Sequence, residues 1–291
     1  MIVNPQDSPR NDRGQVALSA GVCGTLVVAI PCREGLLVAA DRRSTLRGEQ
    51  VDGASKLEAL NGSPATVITV TGTGEFIGDP PAGQTAASWL ANAPRKFDAR
   101  LLLKTAIDRR ERTLDPETLR GVADELVSEF RTFFGSYPPT LLGRYAGAEL
   151  CRAVIFQCRD GNPLSRIIAT FAVTISNSQQ ISAANEVVRI FASEEPFEVC
   201  KFGETEYVNE HVLAGRGRMS LSSKLTGLLT ASSPVGAFPV ADAEYVARGL
   251  IIAAEIASAS IPIPSGSGIG GGMTVFLIRR DRAELRDSIV C

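Results

Sequence analysis

The sequence carries one histidine and one tryptophan in 291 residues. His211 thus has no second imidazole with which to share a metal, and on its predicted helical stretch no serine or carboxylate motif calls for it as a base. The six cysteines stand at 23, 32, 151, 158, 200 and 291, never as a C-x-x-C pair. That spacing argues against a zinc site and for free, mostly buried thiols in a reducing compartment. No metal or other cofactor is expected. Excess charge is lacking too. Thirty basic residues face 32 acidic ones, and the net charge of −2 gives no field to draw nucleic acid or an anionic membrane. Long apolar runs are missing as well. The best, "GLIIAAEIASASI", is short for a membrane span and holds Glu255. The opening "MIVNPQDSPRNDRGQ" has no signal-peptide core. A cytoplasmic protein with no nucleic-acid or membrane partner is expected.

What is present is 44% hydrophobic residues, enough for a sizeable core. Short apolar runs bounded by turn residues, "TLVVAI", "LLVAA" and "VITVTG", predict buried strands. The period then changes to that of helices, over 83–94 and 97–108. The clearest helix has Asp115 as N-cap, Pro116 in its first turn, Gly135 as its stop, and Leu119, Val122, Leu126, Phe130 and Phe133 on one face. Strands return at 152–158 and 165–175, helices at 204–215 and 241–258, and "GGGMTVFLIRR" closes as a glycine loop entering a strand. There is no internal repeat and no βαβ alternation. The order predicts an α+β layered fold with mainly antiparallel sheets.

The informative stretch is "GTLVVAIPCREGLLVAADRRST" (24–45). A turn centred between Arg33 and Glu34 makes it a hairpin with Thr25 opposite Arg42 and beside Asp41. A second turn at Gly48–Glu49 sets Asp41 opposite Lys56. A hydroxyl, a carboxylate and an ammonium then converge from three adjacent strands. A threonine hydroxyl is a weak nucleophile until a base takes its proton. A chain cut after Gly24 would give Thr25 a free α-amino group, whose pKa of about 7.7–8.0 suits that task. Lys56 would lower the neighbouring pKa values by its charge, Asp41 would hold Lys56 in place, and Gly24 would let the backbone bend at the cut. On residue types alone, an Asp beside two arginines and a lysine in "GASKLEAL" also suit a solvated surface.

The same stretch resembles the start of a mature proteasome β subunit, a threonine peptidase of the N-terminal-nucleophile hydrolases. The matching residues are Gly24-Thr25, Gly35, "AAD" at 39–41, Arg43, Thr45, Lys56 and "VTGTG" at 70–74. The resemblance implies a four-layer αββα sandwich over 25–291, a leader over 1–24 and an insertion near 216–240. It implies Thr25 as nucleophile, Asp41 and Lys56 as its supports, the Gly72 N–H facing the oxyanion, and a substrate pocket of Ser44, Ala54, Val70 and Gly74, with Val70 at its floor. Polypeptide substrates, a homo-oligomeric ring able to stack as a double ring, and an ATPase unfoldase follow as expected partners. The sequence departs from the family where an outer serine, and an aspartate and serine before the last strand, are expected: Glu204, Ser267 and Gly270 stand there. A non-catalytic ring subunit that keeps its leader is the alternative. Gly266, Gly268 and Gly271 spell G-x-G-x-x-G, but between a helix and a strand, the reverse of a dinucleotide loop.

Overall fold

The computed structural model describes residues 25–46, 49–60, 62, 64–77, 95–137, 139–159, 164–214, 221–260 and 268–289. The expectations for Gly24, the leader, the helix over 83–94, Cys23, Gly266, Ser267 and Cys291 lie outside them.

The chain is mixed α and β, and every named strand pairing is antiparallel. One five-stranded sheet has the order β12 (Cys200–Gly203), β1 (Leu26–Cys32), β2 (Gly35–Asp41), β13 (Met273–Ile278), β14 (Ala283–Ile289). The other runs β11 (Ile181–Phe191), β10 (Ser165–Ile175), β9 (Glu149–Arg159), β6 (Thr66–Gly72), β5 (Glu58–Leu60). Two short ribbons pair β3 (Ser44–Leu46) with β4 (Glu49–Val51), and β7 (Glu75–Ile77) with β8 (Arg95–Asp98).

Every residue of β1 and β2 is buried, and the period of two sorts their side chains into different cores. Val27, Ala29, Val38 and Ala40 meet Val67, Val154, Phe156 and Ile168 of the second sheet. Leu26, Val28, Ile30, Leu37 and Ala39 face the helix Val240–Ser260 instead. The other face of the second sheet, with Ile68, Ile155 and Phe171, packs on the helices Ala99–Asp108 and Pro116–Gly135. Asp115 caps the second of these as expected, accepting the Thr118 N–H at 2.7 Å. Arg166 of β10 ties the sheets together at the β1–β2 turn. Its buried guanidinium donates to the carbonyls of Cys32, Arg33 and Gly35 at 2.7, 3.0 and 3.2 Å.

The hairpin register is the expected one, with Val27 opposite Ala40 and Cys32 opposite Gly35. The second turn differs. β3 pairs Ser44 with Val51, two residues out of the expected register, and β4 ends there. Lys56 therefore lies in an irregular connector that leads to the other sheet, not on a third adjacent strand. The stretch 204–215 forms a π-helix, Tyr207–Leu213. Part of the expected insertion also joins the core: it forms the helix Ser223–Thr230, whose Leu225 is buried against the last helix.

Candidate functional site

Thr25 is the first described residue, 7% exposed, at the entrance to β1. The neighbouring strand holds its backbone: the Thr25 carbonyl accepts the Glu204 N–H at 2.8 Å. That approach needs glycine at 203. Gly203 has φ +82°, and a Cβ there would stand 1.9 Å from the Thr25 carbonyl oxygen.

Asp41 ends β2 and is completely buried. Its Oδ1 accepts the Leu26 N–H at 2.8 Å and the Lys56 ammonium at 2.9 Å. Its Oδ2 accepts from Lys56 at 3.1 Å, Arg43 N–H at 3.2 Å and Gly270 N–H at 3.3 Å. One carboxylate thus joins the first peptide of β1, the lysine and the glycine loop before β13. Lys56 also donates to the Arg43 carbonyl, and its own carbonyl accepts the Thr69 hydroxyl at 2.8 Å. Its side chain is only 6% exposed. Burial pushes the Asp41 carboxyl above its ordinary range, against the Lys56 ammonium and the Leu26 and Gly270 N–H groups, which pull it down. Among the described residues, every group that bonds to it is a donor, as an ionised carboxylate requires.

The glycine loop therefore serves Asp41. Gly270 has φ +146°, and a Cβ there would stand 2.4 Å from the Glu255 carboxylate. The G-x-G-x-x-G spacing of this loop carries no sign of that use.

Gly72 ends β6 with φ +80° and borders an open cavity of about 430 Å³ together with Thr25. Thr71, Glu149, Arg152, Lys201 and Glu204 also line that cavity. Glu149 and Arg152 form a two-point ion pair at 2.6 and 3.1 Å. The structure thus brings Thr25, Asp41, Lys56 and Gly72 to one end of the sheets. It does not place Ser44, Ala54, Val70 or Gly74 on this cavity. Ser44 and Gly74 are buried, and Ala54 and Val70 half-buried. A Cβ on Gly74 would meet Val70 Cγ1 at 2.5 Å, so Val70 covers Gly74.

The sequence missed Lys201 and Gly203, because a four-residue strand carries no periodic signal. The described thiols are poor nucleophile candidates. Burial pushes Cys32 up to about 11, and Cys158 and Cys200 up to about 12, so each stays protonated near neutral pH. Among the described residues no three His, Cys, Asp or Glu side chains could together hold a metal, and no helix is long and apolar enough to cross a membrane.

No family model matches the chain, and no curated protein does. Solved structures similar to it include an Anbu (Gly-1) mutant from Hyphomicrobium sp. strain MC1, with 14% identity over 92% of this chain and 87% of that one, at a TM-score of 0.43. A helical assembly of the Anbu complex from Pseudomonas aeruginosa has 13% identity over 90% and 88%, also at 0.43. Anbu (ancestral beta-subunit) from Yersinia bercovieri has 13% identity and a TM-score of 0.39. These findings correct the expected assignment to the proteasome β-subunit family. No such family matches, and the similar structures are Anbu proteins, too distant in sequence and geometry to carry a role for any residue here. The quoted stretch misleads because its match is local: a buried hairpin ending in Asp is a small part of 291 residues.

Proposed function

We propose that this protein is a threonine peptidase whose nucleophile is an N-terminal Thr25, freed by cleavage after Gly24. The observation that carries the reading is the buried Asp41 carboxylate, bonded at once to the Leu26 N–H and the Lys56 ammonium. Burying an ion pair is costly, and this one is aimed at the first residue of a strand. In the proposed reaction the Thr25 α-amine takes the hydroxyl proton as Oγ attacks the peptide carbonyl. The Gly72 N–H faces the oxyanion. Collapse breaks the C–N bond, the proton passes to the leaving amine, and water then hydrolyses the ester. Lys56 lowers the cost of the alkoxide, and Asp41 keeps Lys56 charged and placed.

Ser44, Ala54, Val70 and Gly74 remain the proposed pocket for the acyl-side residue, which their uncharged side chains suit when it is apolar. We read the two sheets with their outer helices as a four-layer αββα sandwich, and the exposed Tyr245, Ile252 and Ile256 on the last helix as a contact between copies in a ring.

One observation favours a second reading. Glu204 lines the cavity beside Thr25, and a carboxylate there would hold a free α-amine protonated and unfit as base. On that reading the chain is a non-catalytic subunit with its leader retained. Intact mass of the purified protein separates the two. Loss of residues 1–24, abolished in Thr25→Ala, supports the peptidase; full-length chain without peptide hydrolysis supports the second.

A further inference from the structure

On β6, Val70 of the proposed acyl-side pocket and Thr71 of the cavity face opposite ways. Val70 packs against the helix-side core. The next residue, Thr71, lines the cavity, its methyl 3.3 Å from where a Gly203 Cβ would stand. Thr25 borders the cavity, so a substrate chain crossing Thr25 would put one flank of the scissile bond there.

The charges in the cavity are not equally engaged. Arg152 is held at two points by Glu149. Glu204 donates its backbone N–H to the Thr25 carbonyl and lines the same cavity. Lys201 differs: among the described residues its ammonium bonds only to the neutral amide oxygen of Asn209, at 2.7 Å. Two acidic residues lie three positions from Lys201 in sequence: Glu198 pairs with Arg189 at 2.5 Å, and Glu204 lines the same cavity. Partial burial lowers the Lys201 pKa, the sign of a cation short of compensation.

We infer that this cavity is a leaving-side subsite that selects a carboxylate, with Lys201 as its specificity-determining residue. The inference rests on the peptidase reading and names the substrate class of that site. The carboxylate can come from an Asp or Glu side chain or from the terminus of a peptide ending just beyond the scissile bond. A neutral amide in its place leaves the ammonium with one weak partner.

The test uses internally quenched peptides carrying Glu, Gln or Lys at one position at a time, and short peptides ending in a free carboxylate or a carboxamide. The parent should favour the carboxylate member at one leaving-side position by about tenfold in kcat/KM, a single charge-assisted hydrogen bond. Lys201→Gln should bring the ratio to about one, and Lys201→Glu should invert it towards Lys-bearing peptides. Since each variant is compared with itself on paired substrates, loss of folded protein does not imitate the result. A preference confined to free termini assigns the α-carboxylate, and one within longer peptides assigns the side chain. Equal cleavage of all pairs by the parent, or a preference for Lys over Gln, would overturn the inference and leave the peptidase reading standing. If the parent cleaves nothing, binding of the same peptides to Thr25→Ala decides. A Glu-over-Gln affinity ratio abolished by Lys201→Gln keeps the subsite while the nucleophile reading falls. Equal binding removes both.

Discussion

Two ion pairs stand near Thr25, and they differ in what surrounds them. Asp41 and Lys56 are 0% and 6% exposed, and three backbone N–H groups complete the carboxylate. Arg152 and Glu149 are 28% and 40% exposed, on an open cavity. The exposed pair makes the shorter contact, 2.6 Å against 2.9 Å. Yet water screens it, and either member can be resolvated if the other is removed. The buried pair has no such alternative. Contact distance alone would rank them wrongly; burial sets how much depends on each.

The largest effect expected is on activity. Thr25→Ala should abolish peptide hydrolysis and leave the fold intact, and hydrolysis at the parental rate would remove Thr25 from the reaction altogether. Next, Lys56→Ala should lower kcat/KM by about 100-fold or more. It should also destabilise the protein by about 3–5 kcal/mol, because it strands a buried carboxylate. Denaturant unfolding reads the second effect, and a loss under about 1 kcal/mol would put the buried pair in the same class as the exposed one. Asp41→Asn should depress activity less than Lys56→Ala, since it acts through the lysine.

A third expectation concerns acid. A carboxyl raised by burial takes up a proton at a higher pH than an ordinary aspartate does, about 3.9. Protonated, Asp41 no longer balances Lys56. Activity should therefore fall with decreasing pH before the ordinary carboxylate range is reached. An acid limb of the kcat/KM profile at or below that range would contradict this. The smallest effect belongs to the exposed pair: Arg152→Gln should change stability by less than about 1 kcal/mol, and a larger loss would show that the cavity wall is stiffer than its exposure implies.

Much of the frame was legible in the sequence, and the reasons are local. β1 and β2 are buried on both faces, so they read as continuous apolar runs, and "CREG" sets their register. Asp115-Pro116 starts its helix by capping chemistry that needs no tertiary partner. Two of the strands missed, β11 and β14, lie at the edges of their sheets and carry Asn185, Glu186, Arg189, Glu284 and Arg286 where inner strands carry apolar residues. Polar residues discourage pairing with other chains at a sheet edge, and they also erase the alternation that reveals a strand. At the site, the meeting of Asp41 with Lys56 was anticipated but its route was not. An irregular connector delivers Lys56, and no period encodes such a path. Gly270 and Glu204 depend on contacts across 229 and 179 residues, which a local pattern does not record.

The bond from Gly270 to Asp41 has a consequence for the order of events in a cell. A ribosome releases Thr25, β1 and β2 well before the glycine loop, whose Gly270 follows Asp41 by 229 residues, and before β13, which pairs with β2. At about 5–20 residues per second, roughly 10–50 s pass between synthesis of Asp41 and of Gly270. During that interval the carboxylate lacks one of its donors, and β2 lacks its neighbour. Translation itself thus works as a timer: the donor set of the carboxylate beside Thr25 is completed only after Gly270 has been made.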